Sequence, residues 1–600
     1  MSPQSGSTTS GFPGSRGIRL PEAHGDLQVN FCKNPACANF GIPALARVSR
    51  GRPRKDGSGA RDRYQVGKPD RGSTDRKLRC LACNRESSIK SNRAVAEEQE
   101  RISRYLLPPD EPSCPSPGCS NAGVGVYSNT DAYRSKGTRR GSWRLLCRQC
   151  HRLFSVRERP HVGQKKPHEN KTVFREIVSK KPIRGIALVS DLSPKAVYDK
   201  IDFIHAQCVG FIGERERRAS RIRRKYVRLC VDRQDYLINW QSRQNRKNVQ
   251  FSSSCTVEGK TGYVIAHNLN YDPNVNRVDI NDAAKAAGDL LPGSKSYFRQ
   301  HAQYWLRDEF RDIAGRSSYD LRPDPDSEPM LTEELILEKE RERLSWPRSE
   351  MADYPCRGNQ MPPDGVMTHL DFTAYAHARL VRRLIGRPDY ITIYCDQDEV
   401  LRGAFMAAFA AEMRMDQVEM AYVQFQKHMD IDEKRLLANA CKPHLAALSA
   451  TCNCNIEKAI SRQMGLDYAK ACLTERDWRR RWIEHPRDTM NEPRRKILYL
   501  SDTGRKSLID IGWTLSGASL APVDNYFMRL RRKVSSLERP IPPRPTPTSS
   551  IMAITHTNHG ASCSFSLSFG PIRIIFGPTD TERRRRCASV SRRGRSGSRM

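Results

Sequence analysis

The sequence lacks any apolar stretch that approaches the roughly 18–20 residues needed to cross a bilayer. Its beginning, Met1–Ser7, is polar and has no apolar signal core. These absences argue against a membrane-embedded or secreted protein. We therefore expect a cytosolic protein whose thiols stay reduced.

Acidic charge is also scarce. The 600 residues include 67 Asp and Glu against 102 Lys and Arg, which gives a net charge of +35. Such an excess predicts a polyanionic partner, because Lys and Arg side chains neutralise phosphates. Double-stranded DNA is the leading candidate, and an anionic membrane surface is the alternative. The length favours several domains.

Cysteine, in contrast, is plentiful, and its spacing repeats. Twice within about 120 residues, a pair separated by four residues precedes a basic stretch and then a pair separated by two. Two such pairs can supply the four thiolates of a tetrahedral zinc site. We predict one zinc ribbon at 27–90 and a second at 108–160; unliganded cysteines are the alternative. The predicted ligands are Cys32, Cys37, Cys80 and Cys83, and then Cys114, Cys119, Cys147 and Cys150.

Two further features lie near the first ribbon. Residues 1–26 are rich in Gly, Ser and Pro, which predicts disorder. The gap inside the first ribbon contains Arg50–Lys55, which resembles an AT-hook that inserts Arg side chains into a narrow minor groove. A solvated basic loop is the alternative for this segment.

Residues 168–212 predict a helix-turn-helix. Thr172–Lys180 and Pro182–Val189 are the first two predicted helices, and Lys195–Cys208 is the third. Ser193 is a suitable N-cap for the third helix and Pro194 suits its first position. A helical connector without DNA contact is the alternative. If the third helix enters a groove, the expected DNA-binding residues are Lys195, Tyr198 and Lys200.

The segment 222–540 predicts an α/β domain whose strands end in carboxylates. Tyr226–Asp232 is a run of strand formers that ends on an acid, and two further strands follow it. Tyr390–Cys395 is a second such strand, followed by Asp396, with Asp398 as an alternative second acid. An exposed Asp that opens a turn is the alternative interpretation of the first acid.

A third acid, Asp524, lies in the first turn of a predicted helix, Pro522–Lys533. The order of strand-end acid, second strand-end acid and acid on a late helix is that of an RNase H-like core. Three neighbouring carboxylates repel unless cations join them, so Asp232, Asp396 and Asp524 predict a site for Mg²⁺ or Mn²⁺. Such ions support phosphodiester cleavage. Insertions are expected at about 280–365 and 426–500, the second of them helical.

Taken together, the chain resembles a DDE/DDD-type transposase of a bacterial insertion sequence. The likeness covers about residues 30–540. It depends on the cysteine pairs, the helix-turn-helix, Val231–Tyr236, Cys395–Phe405 and the stretch that begins at Val523, where such enzymes more often have Glu than Asp. The resemblance implies binding of element ends and target DNA, metal-dependent cleavage and strand transfer by the three acids, a homo-oligomer in the DNA complex, and a nucleoid-associated location in a bacterial cytosol.

The predicted fold class is therefore multidomain: two small zinc ribbons, a helix-turn-helix, and an α/β RNase H-like mixed-sheet core with a helical insertion. Two rival functions stay open. One is a non-catalytic, zinc-dependent DNA-binding regulator, and the other is a metal-dependent nuclease of the same fold.

The last 60 residues differ in composition from the rest. Residues 541–600 contain ten Arg, no Lys and only Asp580 and Glu582 as acids. They predict a disordered basic tail. Codons for Arg584–Arg592, shifted in phase, can encode a motif that resembles the end of many transposases, so a frameshift near residue 540 is a second hypothesis. Sequencing the gene tests the frameshift hypothesis, which requires an open reading frame that continues in the shifted phase.

Overall fold

The computed structural model describes most of the chain between residues 19 and 533. The described segments are 19–46, 62–69, 75–106, 111–127, 129–157, 161, 163–219, 221–242, 245–291, 293–316, 361–362, 364–426 and 429–533. The AT-hook-like segment Arg50–Lys55 and the tail 541–600 lie outside them. Residues 19–26, which we expected to be disordered, are instead ordered: Leu20 is fully buried and Arg19 donates to the carbonyls of Leu45 and Tyr64.

The described chain forms two compact units. The first contains residues from 19–103 and 219–528, and the second contains residues from 104–218 together with 529–533. The predicted first ribbon is therefore part of the larger unit and not a separate small domain. The predicted second ribbon and the three helices that follow it belong to the other unit.

Fifteen strands are described, in four sheets. They are β1 (Tyr64–Pro69), β2 (Arg76–Cys80), β3 (Glu86–Ser88), β4 (Tyr133–Arg139), β5 (Ser142–Cys147), β6 (Leu153–Arg157), β7 (Tyr226–Ser242), β8 (Asn245–Glu258), β9 (Val264–Leu269), β10 (Tyr271–Asp272), β11 (Val366–Met367), β12 (Tyr390–Cys395), β13 (Val418–Gln424), β14 (Trp482–Glu484) and β15 (Lys496–Tyr499).

Thirteen α-helices are described. They are α1 (Asn92–Arg104), α2 (Glu169–Val178), α3 (Ile183–Val189), α4 (Pro194–Ala219), α5 (Arg277–Ala286), α6 (Arg307–Arg316), α7 (Leu370–Ile385), α8 (Glu399–Ala408), α9 (Ala410–Arg414), α10 (Ile431–Thr451), α11 (Ile456–Thr474), α12 (Leu508–Ser516) and α13 (Ala521–Lys533). None of these helices is long and apolar enough to cross a membrane.

A mixed seven-stranded sheet organises the first unit. Its strand order is β14-β15-β13-β12-β7-β8-β9. β7, β8 and β9 form an antiparallel meander, whereas β12 and β13 run parallel to β7. The strand predicted at Tyr390–Cys395 is confirmed with the same bounds, and Val418–Gln424 forms the next strand of the sheet. Their nearly continuous burial is typical of central strands with both faces covered.

The first strand is longer than its sequence predicted. Asp232 does not end β7, because the strand continues to Ser242 and pairs with β8 along that length. What ends near Asp232 is the parallel neighbour: Cys395, the last residue of β12, pairs with Val231. Asp232 therefore lies within β7, next to the position at which the neighbouring parallel strand β12 ends.

Helices cover both faces of this sheet. On one face, His377 of α7 bonds to Thr256 Oγ1 and to Asn268 Oδ1, each at 2.7 Å. On the other face, Tyr394 donates to the Thr514 carbonyl of α12 at 2.6 Å. Side chains alternate between the faces along a strand, so α7 and α12 lie on opposite sides of the sheet.

The two predicted insertions are only partly as expected. The first, which we expected to be irregular, contains α5 and α6, and residues 317–360 lie outside the described segments. The second begins with α10 and α11, but after Thr474 it contains one 3-10 turn and two strands. It adds β15 and then β14 to the sheet edge beside β13. The apolar run Ile497–Leu500 is continuous, buried and short, which is typical of a strand inside a sheet.

The second unit has its own small cores. A three-stranded antiparallel sheet, β4-β5-β6, packs around Val126, Tyr133 and Val156. The helices α2, α3 and α4 enclose another cluster that includes Val173, Ile186 and Val197. The helix predicted at Lys195–Cys208 is present as α4, but it continues to Ala219, and the Ser193 hydroxyl accepts the Ala196 amide as expected for its cap.

Candidate metal centres and acid cluster

The two predicted cysteine groups are assembled. The Sγ atoms of Cys32, Cys37, Cys80 and Cys83 all lie within 4.8 Å of one another, and so do those of Cys114, Cys119, Cys147 and Cys150. Individual Sγ···Sγ distances run from 3.4 to 3.8 Å. Four thiolates at about 2.3 Å from a tetrahedral zinc ion stand roughly 3.8 Å apart. Both groups could therefore hold zinc, and all eight cysteines are free of disulfides.

An asparagine supports the thiolates in each group. Asn39 donates its amide to Cys37 Sγ at 3.4 Å and its side chain to Cys80 Sγ at 3.3 Å. Asn121 makes the same two contacts in the second group, at 3.4 and 3.3 Å. Both asparagines stand two residues after the second cysteine. That repeated Cys-x-Asn spacing was the available sequence signal for a role that was not predicted.

A tyrosine also recurs in the two groups. The Tyr64 hydroxyl accepts the Cys32 amide at 3.0 Å and donates to the carbonyls of Asn39 and Ile42. Tyr133 accepts the Cys114 amide at 3.1 Å and donates to the equivalent carbonyls. The two centres therefore share one architecture from their ligands to the groups that orient them.

Hydrogen bonds shift some of these thiols toward their charged form, whereas burial raises the pKa of Cys32 and Cys37. Burial acts to raise the pKa of Cys80, but donors from Asn39 and from the backbone of Cys83 outweigh it and lower the value to about 7. In the second centre, the Ser116 hydroxyl and a backbone amide lower the pKa of Cys150 to about 6. Thiolate is the form that binds metal, so these donors favour a loaded site.

The first centre is packed against the helices of its own unit. The Lys33 ammonium lies 5.6 Å from the ring centre of Tyr375 on α7, and Lys90 forms an ion pair with Asp371 on the same helix. A Cβ added at Gly41 would lie 3.2 Å from that of Ala410. The first cysteine centre is thus a third layer, outside α7 and its neighbours.

The elements that carry the three predicted acids meet at one part of the large sheet. Asp396 directly follows Cys395, the last residue of β12, and Cys395 pairs with Val231, the residue before Asp232. Asp232 pairs in turn with Cys255, and Cys255 pairs with His267. His267 Nδ1 lies 3.0 Å from the Tyr526 hydroxyl of α13, the helix that carries Asp524. We call the surface with these residues the acid face.

The charges of the acids contribute to the pKa shifts of two buried thiols, Cys395 and Cys230. Burial raises the pKa of Cys395 well above its usual range, and the charges of Asp398, Asp396 and Asp232 add to this rise. Burial likewise raises the pKa of Cys230, against the opposing charge of Arg228, with a contribution from Asp524. Cys230 and Asp232 are two residues apart on β7, so they lie on the same face.

The acids do not form a closed single-ion site. Among the described residues, only the two cysteine groups bring three or more possible ligand atoms within 4.8 Å. Three half-buried carboxylates on one face fit Mg²⁺ or Mn²⁺ in ligand type. Their spacing is wider than the geometry around one ion.

Asp398, the alternative candidate for the second acid, caps a helix. Its carboxylate caps α8 by accepting the amides of Val400 and Leu401 at 2.8 and 3.0 Å. It also pairs with Arg233 at 3.0 Å, on the face opposite Asp232. These contacts make it a structural cap, and Asp396 is the better candidate for the second acid.

The predicted DNA-binding residues of α4 are not equivalent. Lys195 is exposed and Tyr198 is half-buried against the helical cluster. Lys200 is only 5% exposed, and its ammonium donates to the carbonyls of Lys165 and Lys166 and to Asn170 Oδ1. The prediction that Lys200 faces a groove is wrong, because its charge is used to hold the segment before α2.

A denser basic surface lies on the second cysteine unit. Between 129 and 157 the only acidic residue is Asp131. The exposed basic side chains of this segment, which we call the ribbon surface, are Arg134, Lys136, Arg139, Arg140, Arg148, Arg152 and Arg157. This surface carries more positive charge than α4, whose exposed side chains include Asp199 and Asp202.

Comparison of the chain with protein-family models, with curated proteins and with solved structures gives no match in any of the three.

Proposed function

We propose that the chain is a DNA transposase with an RNase H-like core, which binds element ends through its second unit and cuts and joins DNA at the acid face. The observation that carries the proposal is the strand order β9-β8-β7-β12-β13, an antiparallel meander continued by two parallel strands. In this order, the first two acids would stand side by side where β12 ends, and α13 would bring the third close to them.

The chain's residues have distinct roles in this proposal. Asp232, Asp396 and Asp524 would hold Mg²⁺ or Mn²⁺, which when bound activates an attacking oxygen and stabilises the leaving one. β7 carries Asp232 and β12 ends one residue before Asp396, so two paired strands would support the first two carboxylates, which suits a reacting site. α13 supplies Asp524 from across the sheet face.

DNA binding is assigned to the second unit. The ribbon surface offers seven exposed cations with one nearby acid, which suits a phosphate backbone. Lys195 and Tyr198 at the start of α4 would add contacts if that helix lies in a groove. Two zinc ions would hold the cysteine centres, the one in the second unit close to the DNA.

The test is divalent-cation-dependent cleavage of a duplex that carries the DNA flanking the gene. We expect Asp232→Asn to abolish cleavage and to leave DNA binding intact. Asp389→Asn is the matched control, because Asp389 stands at the opposite end of β12 in an exposed pair with Arg223. It should cut like the unaltered protein.

The products of the same assay separate the rival functions. Joining of the cut end to a second duplex supports a transposase, whereas cutting without joining indicates a nuclease of this fold. Zinc-dependent binding with no cleavage, unchanged by Asp232→Asn, would overturn the catalytic proposal in favour of a DNA-binding regulator.

A further inference from the structure

A buried carboxylate outside the predicted acids holds the start of the helix that carries Asp524. Glu492 lies in the loop between β14 and β15 and is 2% exposed. Its Oε1 accepts the backbone amides of Leu520 at 2.6 Å and of Ala521 at 3.0 Å. Its Oε2 accepts the Ser519 hydroxyl at 2.8 Å. One side chain thus binds three successive residues at the point where α13 begins.

These contacts satisfy donors that the helix cannot satisfy itself. The first amides of a helix have no intrahelical partner, and a negative charge near them is favourable. Pro522 has no amide hydrogen, and the Val523 amide bonds to the Leu520 carbonyl at 3.0 Å. Glu492 therefore accepts the two amides that remain at the start of α13, and it shares the Ala521 amide with the Ser519 hydroxyl.

The connection from Glu492 to Asp524 is short. The Leu520 carbonyl accepts the Asp524 amide at 3.0 Å, in the first turn of the helix. Leu520 is thus held by Glu492 through its amide and holds Asp524 through its carbonyl. A shift of the Glu492 carboxylate would move the third acid through a single residue.

The carboxylate is itself fixed. Arg495 Nη1 donates to Glu492 at 2.8 Å and to the Ala518 carbonyl at 2.7 Å, and this arginine is 6% exposed. His485 bonds to the Ser516 carbonyl at 3.2 Å. A buried pair of this kind contributes little net stability but holds one geometry, since either partner alone would be an unpaired buried charge.

We propose that Glu492 is a positioning residue that sets the place of Asp524 on the acid face, and this rests on the proposed role of Asp524. It predicts that removal of the Glu492 carboxylate weakens divalent-ion binding at the acids although Glu492 does not touch the ion. Removal of a residue that orients a metal ligand without touching the metal typically weakens metal binding by about 10–100-fold.

The test is Mn²⁺ binding to the zinc-loaded chain, measured by electron paramagnetic resonance of the free ion. Four proteins are compared: the unaltered chain, Glu492→Gln, Asp524→Asn and the double variant. We expect Glu492→Gln to weaken binding about tenfold. In the Asp524→Asn background it should have no further effect, because its action passes through Asp524.

The control is Glu484→Gln, which removes an 80% exposed carboxylate from neighbouring β14, where it pairs only with Lys496 among the ion pairs described. It should bind Mn²⁺ normally. Equal weakening by Glu492→Gln in both backgrounds would show a general structural defect and overturn the proposal. If Asp524→Asn leaves Mn²⁺ binding unchanged while Asp232→Asn weakens it, the third acid itself is misassigned and the positioning role falls with it.

Folding is checked by thermal melting of each variant. If Glu492→Gln does not fold, Ser519→Ala takes its place, because it leaves the pair with Arg495 intact while it removes one hydrogen bond to Oε2 and the hydroxyl that accepts the Ala521 amide. Ser519→Ala should weaken Mn²⁺ binding in the same direction by a smaller factor, again only when Asp524 is present. Normal binding by a folded Ser519→Ala and by a folded Glu492→Asp would overturn the proposal.

Discussion

Arg101 and Glu98 form a buried ion pair that fastens the helix after the first cysteine centre to the large sheet. Two guanidinium nitrogens of Arg101 donate to the Glu98 carboxylate at 2.7 Å, and the same guanidinium donates to the carbonyls of Leu269 and Tyr271. Glu98 also accepts the Thr373 hydroxyl of α7. One turn of α1 therefore holds the chain at Leu269–Tyr271 and at Thr373 of α7.

Breaking this pair should destabilise the first unit strongly. Arg101→Met leaves the Glu98 carboxylate buried without its cation, which typically costs about 3–5 kcal/mol. We expect a decrease of that size in the free energy of unfolding measured with urea. Arg311→Met is the control, because the Arg311–Asp308 pair is exposed and should contribute less than about 1 kcal/mol. Equal effects of both substitutions would contradict this assignment.

The two cysteine centres should respond differently to removal of a ligand. Cys83→Ala removes a ligand from the centre packed on α7, so we expect it to lower the thermal stability of the first unit together with its zinc content. Cys150→Ala removes the matching ligand of the second centre and should leave the melting of the first unit unchanged. Zinc content per chain and the melting curve are measured for both.

The reason lies in the neighbours of the first centre. Lys33, which follows the ligand Cys32, contacts Tyr375 of α7, and Lys90 pairs with Asp371 of the same helix. Metal loss is coupled to unfolding of the segment that the metal holds. A first unit that melts normally after Cys83→Ala has removed its zinc would show that the centre is not part of the core.

The sequence was informative where a pattern is local. The cysteine spacing predicted both centres, and runs of strand-forming residues predicted the strands that precede Asp232 and Asp396. It was uninformative where a side chain meets a distant partner. Nothing in the residues around Lys200 predicts that its ammonium is taken by the carbonyls of Lys165 and Lys166. Glu492 likewise gained its role only when the chain folded, because its partners lie 27–29 residues later.

Removal of charge from the ribbon surface should weaken DNA binding in a salt-dependent way. Arg139→Gln together with Arg140→Gln removes two exposed cations. The slope of log affinity against log salt falls by about 0.9 for each phosphate that the protein no longer neutralises, so the double substitution should reduce it by up to about 1.8. Fluorescence anisotropy with a labelled duplex at several salt concentrations measures that slope.

Arg223→Gln provides the comparison for the ribbon surface. Its side chain is 83% exposed and pairs with Asp389, far along the sheet from the acids. It should bind DNA with the unaltered slope. A slope unchanged by the Arg139 and Arg140 substitutions would exclude this surface as the site of phosphate binding.

His485 should make the stability of the first unit fall in mild acid. Burial lowers its pKa to about 3, and the charge of Arg495 adds to this effect. Its Nδ1 accepts the Arg487 amide at 3.0 Å, so the neutral ring carries its proton on Nε2, which faces the Ser516 carbonyl. The folded chain therefore excludes a proton that the unfolded chain binds below a pH of about 6.5.

The sign follows from that difference in bound protons. Between about pH 6.5 and 3 the unfolded state holds the extra proton, so stability is lost as the pH falls, and above pH 7 the effect vanishes. From pH 7.5 to 5.5 we expect His485 to account for a decrease of roughly 1.4 kcal/mol. Urea unfolding at both values is compared between the unaltered chain and His485→Asn, in which all other titrating groups are retained. The difference between the two pH dependences isolates the histidine, and identical pH dependences would show that His485 is not held neutral in the fold.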